Sequence, residues 1–158
     1  NNYERFLRER IPDVMNQIEG GAILYKGEVI GQHKGIPFYT IGQRKGLGLA
    51  LGKPVYVKNI DRETNMIEIG DKEDLYENIL YADDVNYVSA DLLEPGTIVR
   101  AKIRYLDSGS QAEIIESNES SFSINFLEPK SAITPGQSVV LYDEQGYVLA
   151  GGIISKNK

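Results

Sequence analysis

The chain has 158 residues, of which 41% are hydrophobic and 25% charged, a composition typical of a globular protein. It contains no cysteine, which excludes disulfides, thiolate catalysis and cysteine-based zinc sites. No apolar run approaches the roughly 18 residues that span a bilayer, and no charged-then-apolar leader opens the chain. We therefore expect a cytoplasmic protein without a membrane partner. Because the first residue is Asn1, we also expect a piece of a longer protein.

The first half of the chain predicts one helix, two hairpins and a long loop. The helix is expected over 3–10, where Pro12 limits its end. Four strands in two hairpins follow from short apolar or alternating runs around polar turns, over 22–25 with 29–30 and over 54–60 with 66–69. Between the hairpins, residues 32–52 hold too many glycines for a regular element. They predict an ordered loop with one helical turn near Phe38–Gln43.

The second half predicts short strands separated by Gly, Pro and Asn turns. The strands are expected over 80–88, 97–105, 111–117, 121–126, 138–142 and 147–154. In the second of these, apolar residues alternate with Arg100, Lys102 and Arg104, which predicts one buried and one basic face. Six such strands indicate a small closed barrel. The chain is thus expected to be mainly β, with a small central α+β domain over 1–76 and a six-stranded antiparallel β-barrel over 77–158.

The most informative segment is the glycine-dense loop that contains Gln43, Arg44 and Lys45. The net charge of the chain is −6, yet the segment from Lys26 to Lys58 has six basic residues against one acidic residue. Glycines let a main chain approach a phosphate closely and turn its N–H groups outward. The pattern favours an anionic partner, with a nucleic acid backbone as the leading candidate. The alternative is a basic loop that is merely solvated.

Candidate catalytic and metal-binding residues are few. His33 is the only histidine, so a zinc ion there would need carboxylates as all its other protein ligands. Beside Lys34 and Gly35, His33 is interpreted either as a hydrogen-bonding or phosphate-contacting loop residue, or as a structural loop histidine. The acidic runs at 71–74 and 83–84 lack the spacing of a calcium loop and are expected to be solvated surface. No nucleotide-binding loop or nucleophile elbow occurs, so we expect no catalytic residue, cofactor site or metal site within this chain.

Several motifs in a fixed order resemble those of the bacterial tRNA-specific 2-thiouridylase family. They cover nearly the whole chain and are His33-x-Gly35, Tyr39–Gly48, Ala101–Tyr105, Ala132–Gln137 and Gly151-Gly152. The resemblance implies a three-part enzyme with an ATP pyrophosphatase-type domain, a central domain and a barrel similar to the second domain of elongation factors. This chain is similar to the last two parts only, because the nucleotide loop and both catalytic cysteines of the family are missing.

The resemblance also implies a function and a set of contacts. The complete enzyme would use ATP to activate the wobble uridine, position 34, of tRNAs for Lys, Glu and Gln, and a persulfide would supply sulfur. This chain would bind tRNA and be inactive alone. By family analogy Arg104, Tyr105 and Gln137 match tRNA-contacting positions, and His33, Gln43, Arg44 and Lys45 join them as candidates. Arginine offers a fork of donors to phosphate, and tyrosine can stack on a base. The alternative for Tyr105 is core packing, since its place in the alternation matches that of Val99 and Ile103.

Two other interpretations stay open. The chain could be a free-standing RNA-binding module, or a protein-docking module for a sulfur-carrier or persulfide-donor partner, with the basic loop meeting an acidic surface. The expected position of Arg104, on the outward face of its strand, predicts that its truncation changes stability by less than about 0.5 kcal/mol.

Overall fold

The computed structural model describes residues 3–13, 18–89 and 92–156. The chain divides into two compact units, Asn1–Leu75 and Tyr76–Lys158. The first contains a small mixed sheet and the second a closed six-stranded antiparallel barrel, which confirms the predicted fold class. None of the helices in the described ranges combines the length and the apolar composition of a membrane-spanning segment.

Among its described residues, the first unit has an α-helix and a sheet of four strands. They are α1 (Tyr3–Arg10), β1 (Ala22–Tyr25), β2 (Glu28–Gln32), β3 (Tyr56–Asp61) and β4 (Met66–Gly70). The strands lie in the order β2-β1-β4-β3, with β1 and β4 parallel and the other neighbours antiparallel. Both predicted hairpins are therefore confirmed.

The long loop of the first unit is attached to the sheet by its own apolar side chains. Tyr39 and Leu47 are buried in the same core as Ile23, Val57 and Ile67 of the sheet. The helical turn of this loop is a short 3-10 helix, Ile36–Phe38, earlier than the predicted position. A proline is favoured in the first turn because its fixed φ suits a helix and no N–H is needed there.

The second unit is a barrel of six strands. They are β5 (Tyr76–Tyr87), β6 (Ile98–Lys102), β7 (Ser110–Ser117), β8 (Phe122–Ser131), β9 (Ser138–Tyr142) and β10 (Val148–Ser155). Their order is β10-β5-β8-β7-β6-β9, and β9 pairs with β10 to close the barrel. Alternate residues point inward, so that Phe126, Ile114 and Leu141 form part of the core while Arg100 lies outside.

The predicted extent of β6 was wrong, because the strand ends at Lys102 and not at Tyr105. The Asp107 carboxylate accepts a hydrogen bond from the Ile103 N–H at 3.1 Å, and the Asp107 N–H donates to Arg104 O at 3.1 Å. These bonds turn the chain out of the ladder. Tyr105 is 98% exposed, which rules out the core packing that its place in the alternation would also have allowed.

Candidate nucleic-acid interface

The tip of the basic loop is shaped by the side chain of Gln43. Its Oε1 accepts from the Thr40 N–H at 3.0 Å, and its Nε2 donates to Lys45 O at 2.9 Å. Main-chain bonds then fasten the loop to β3, from Gly42 N–H to Val57 O and from Val57 N–H to Gln43 O. Since both polar groups of Gln43 already form these bonds, its first role is to fold the loop.

Arg44 and Lys45 are the exposed residues that this arrangement displays. Neither side chain forms a hydrogen bond or an ion pair with the parts of the chain that the structure describes. Arg44 also borders an open groove of about 640 Å³, whose other lining comes from residues 46–55. The two adjacent cations are thus available to an anionic partner.

Other cations of the same segment are already paired, which a count along the sequence could not show. Lys53 Nζ lies 2.7 Å from Asp71 Oδ1, and Lys26 Nζ lies 3.8 Å from Asp71 Oδ2. The hydrogen bond to Asp71 raises the pKa of Lys53 and, from the other side, lowers the pKa of the Asp71 carboxyl. Lys58 pairs with Glu68 at 3.2 Å. Folding therefore concentrates the unpaired charge of the loop on fewer residues than the window from Lys26 to Lys58 indicates.

His33 is buried, with 2% of its surface exposed. Its Nδ1 accepts from the Gly35 N–H at 3.0 Å, so the ring proton is on Nε2, which lies 3.0 Å from Asn65 O and donates to it. The ring also contacts Tyr39 edge-on, with centroids 5.8 Å apart. We therefore correct the expectation of a phosphate contact: Nε2 holds the loop to the β3–β4 turn and Nδ1 fixes the loop at Gly35, which is the structural alternative.

Gly21 completes this cluster. A Cβ at residue 21 would overlap Asn65 O and His33 Nε2, so only glycine leaves room for the histidine ring. The Gly20 N–H donates to His33 O, and the His33 N–H donates to Gly21 O, both at 2.9 Å. Nothing in the sequence pattern indicated that these glycines and the histidine form one unit, because the contact to Asn65 spans 32 residues.

On the barrel, Arg104 lies in the loop between β6 and β7 and not on a strand face. One guanidinium nitrogen, Nη2, donates to Ser131 O at 2.8 Å and to Ala132 O at 2.6 Å. Ala132 has a φ of 55°, and its carbonyl also accepts from the Thr134 hydroxyl at 3.0 Å. Arg104 thus joins its own loop to the segment that leads into the turn at Gln137.

Asp107 fixes the same loop from its other end. Its two oxygens accept from the Ile103 and Gly109 N–H groups and from Lys130 Nζ, the last at 2.8 Å. Burial opposes ionisation of this carboxyl, but the hydrogen bonds from Lys130 and the two N–H groups outweigh it and hold its pKa below the usual value. The loop of residues 103–109 is therefore held in one shape before any partner arrives.

The tip of this fixed loop exposes two large apolar side chains. Tyr105 is 98% and Leu106 91% exposed. Two adjacent large apolar side chains form an exposed patch, which makes this loop tip a candidate contact surface. Leu106 was not among the predicted site residues, because it lies just beyond the predicted strand 97–105 and carries no charge or hydrogen-bonding group.

Gln137 lies half-buried in the turn before β9. Its N–H donates to Thr134 O at 3.2 Å, and its carbonyl accepts from the Ile154 N–H at 2.7 Å. Its Oε1 is buried and has no hydrogen-bond partner among the described residues. Through the Ala132 carbonyl, the structure links the loop of Arg104 and Tyr105 to this turn, whereas Arg44 and Lys45 belong to the other unit.

No group of three or more acidic or histidine side chains in the described ranges is arranged to hold a metal ion. The side chains that these two surfaces display are cations, an aromatic ring and amides.

Comparison with known proteins assigns the family. Residues 4–71 match a family model described as the tRNA methyl transferase PRC-barrel domain, and residues 77–154 match the aminomethyltransferase beta-barrel domain. The chain is 46% identical over 155 residues to the tRNA-specific 2-thiouridylase MnmA of Salinibacter ruber, which covers 98% of this chain and 40% of that relative. The chain belongs to the tRNA-specific 2-thiouridylase family.

Two further relatives have the same name and similar coverage. The tRNA-specific 2-thiouridylase MnmA of Halothermothrix orenii is 45% identical over 99% of this chain and 43% of its own length. That of Symbiobacterium thermophilum is 44% identical over 99% of this chain and 39% of its own length. The chain thus spans about two fifths of the 2-thiouridylases that it matches.

Proposed function

We propose that this chain is the tRNA-binding portion of an ATP-dependent tRNA-uridine 2-sulfurtransferase that makes 2-thiouridine at wobble position 34 of tRNAs for Lys, Glu and Gln. The observation that carries the proposal is similarity along nearly the whole chain to relatives named as tRNA-specific 2-thiouridylases. The complete cytoplasmic enzyme would take ATP and a persulfide sulfur through residues outside this sequence. This chain alone would orient the tRNA and would not turn it over.

The first proposed contact is the pair Arg44 and Lys45. Both are exposed and unpaired among the described residues, on a loop whose shape is fixed by Gln43 and by the burial of Tyr39 and Leu47. A cation held on an ordered loop loses less conformational entropy when it meets a phosphate. Gln43 and His33 contribute to this contact by shaping the loop.

The second proposed contact is the loop of residues 103–109, with Tyr105 as its central residue. A fully exposed aromatic ring on a rigid loop can stack on an unpaired base, and such stacking contributes about 1–3 kcal/mol per base. Arg104 positions the loop through the Ser131 and Ala132 carbonyls and can offer its remaining N–H groups to RNA. The unpartnered Gln137 Oε1 supports a place for this residue at the edge of the same surface.

The proposal is tested in the complete protein that contains this chain. Arg44→Glu with Lys45→Glu should reduce ATP-dependent formation of 2-thiouridine in a tRNA transcript by at least about tenfold, the effect of about 1.4 kcal/mol. The nucleoside is measured by mass spectrometry. Stability should change by less than about 0.5 kcal/mol, since both side chains are exposed. The matched control, Arg62→Glu with Lys72→Glu, reverses two other exposed cations and should retain activity.

Two results would contradict the proposal. Normal thiolation by the variant Arg44→Glu with Lys45→Glu would show that the loop is not part of the tRNA interface. Thiolation by the isolated 158-residue chain, supplied with ATP and sulfide, would show that the chain is not merely the binding portion.

A further inference from the structure

Two cations on the outer face of β6 are held over one aromatic ring. Arg100 Cζ lies 5.7 Å and Lys102 Nζ 5.4 Å from the centroid of the Tyr142 ring. Arg100 and Tyr142 are direct partners in the pairing of β6 with β9, and Lys102 is paired with Val140. Cations within about 6 Å of an aromatic face are attracted to it, so the ring holds both groups on one side of the barrel.

Arg100 borders a groove that Asp143 and Glu144 also line, but neither cation forms an ion pair in the described chain. No carboxylate of residues 3–13, 18–89 and 92–156 forms an ion pair with either side chain. Two nearby cations of the barrel are, by contrast, already engaged. Lys130 pairs with Asp107, and Arg104 donates hydrogen bonds to main-chain carbonyls. Two like charges gathered over one ring repel each other, and a bound anion would relieve that repulsion.

Gly109 allows this arrangement and connects it to the exposed loop. Its φ is 89°, and a Cβ there would lie 2.8 Å from Arg100 Cγ and 3.3 Å from Lys102 Cγ. The aliphatic stems of both cations therefore lie against the backbone of the loop that displays Tyr105. Gly109, the Tyr142 ring and the pairing of β6 with β9 together fix the positions of the two cations.

Carboxylates define the side from which an anion can approach. Arg100 borders a groove of about 280 Å³ that Asp143 and Glu144 also line, together with Ile98 and Gln111. Glu113 stands opposite Ile98 at the same end of β6. These acidic groups disfavour a phosphate at that end, whereas Lys102 lies at the end that continues into the loop of Tyr105.

We infer that Arg100 and Lys102, held over Tyr142, bind backbone phosphates of the tRNA whose base stacks on Tyr105. The inference rests on the proposed function and adds a phosphate site to the tRNA-contacting positions that the resemblance implies. It assigns to Tyr142 a positioning role, since its ring is occupied by the two cations and is not free to stack on a base.

The test is a salt titration of tRNA binding by the 158-residue chain, with fluorescence anisotropy of a labelled tRNA transcript. Arg100→Gln with Lys102→Gln should weaken binding about tenfold and reduce the slope of log affinity against log salt by about one to two. Tyr142→Leu should weaken binding in the same direction, while Tyr142→Phe, which keeps the ring, should bind normally. Arg62→Gln with Lys72→Gln, which removes two exposed cations from the other unit, is the charge-matched control and should leave the slope unchanged.

The outcomes separate this inference from the proposed function. If Tyr105→Ala weakens binding but Arg100→Gln with Lys102→Gln leaves affinity and slope unchanged, the phosphate site is refuted and the proposed function stands. If the unchanged chain does not bind tRNA, both fail. If Arg100→Gln with Lys102→Gln leaves the tRNA affinity unchanged but abolishes binding of polyglutamate, the two cations bind an acidic protein surface, and the inference is overturned. Should Tyr142→Leu fail to fold, the variant Arg100→Gln with Lys102→Gln, which changes one exposed and one half-buried side chain on the outer face of β6, still decides.

Discussion

Arg104→Ala should destabilise the barrel, in contrast to the expectation from the sequence. The variant removes two hydrogen bonds from a charged donor, to Ser131 O and Ala132 O. A bond to a charged group contributes about 1.5–3 kcal/mol, but water can replace the exposed bond to Ser131. The partly buried bond to Ala132 then dominates, and we expect a loss of about 1–2 kcal/mol.

The assay for Arg104→Ala is thermal unfolding, monitored by circular dichroism. For a domain of this size a loss of about 1 kcal/mol lowers Tm by roughly 4–8 °C. Arg62→Ala removes an exposed arginine from the other unit and should leave Tm unchanged. The Tm of Arg104→Lys should lie between that of Arg104→Ala and that of the unchanged chain, because an ammonium group can replace only part of the guanidinium contact. A Tm for Arg104→Ala within 1 °C of the unchanged chain would refute the role of these bonds.

This prediction also changes how binding data are interpreted. If Arg104 fixes the loop of residues 103–109, weaker tRNA binding by Arg104→Ala can follow from a loosened Tyr105 and does not by itself indicate a lost phosphate contact. A lost phosphate contact would lower the salt slope by about one, whereas a loosened loop would lower affinity at constant slope.

The remaining predictions concern three single substitutions. Asp107→Asn should cost about 1–2 kcal/mol at pH 7. Because the folded-state pKa of this carboxyl is depressed, its stabilisation is complete above the unfolded value of about 3.9 and is lost as pH falls through the folded value. The difference between the two urea melts should therefore begin to shrink as pH falls below about 4 and vanish only below the folded value. Gly21→Ala should destabilise the first unit by about 3 kcal/mol or more, because a Cβ at this position overlaps Asn65 O and His33 Nε2. Gly31→Ala is the control: its Cβ would make a milder contact, so this variant should be tolerated in the same melt. Tyr105→Ala should leave Tm unchanged yet weaken tRNA binding about tenfold in an anisotropy titration, the effect of losing about 1.4 kcal/mol; equal binding would remove Tyr105 from the interface.

The fold could be predicted well wherever local signals decide it. Period-two alternation and polar turns located the hairpins of the first unit and all six barrel strands, because side-chain alternation and turn chemistry are short-range properties. The boundary of β6 was missed for a long-range reason. The Asp107 carboxylate is held by Lys130, 23 residues further along the chain, and it diverts the chain after Lys102.

The candidate site shows the same division. The exposure of Arg44 and Lys45 was predictable from glycines and charge, since both features act within one loop. The pairing of Lys53 with Asp71 and the burial of His33 against Asn65 were not, because they depend on which strands become neighbours. The cations over Tyr142 likewise need the pairing of β6 with β9, which the order of residues does not contain.

The central claim is that this chain binds tRNA through phosphate contacts. Its most direct test is the affinity of the 158-residue chain for a tRNA transcript measured from about 50 to 200 mM salt. We expect weak binding that falls steadily with salt, with a slope that decreases in the Arg44→Glu, Lys45→Glu variant. An affinity that does not change over this range, or no binding at 50 mM salt, would contradict the account.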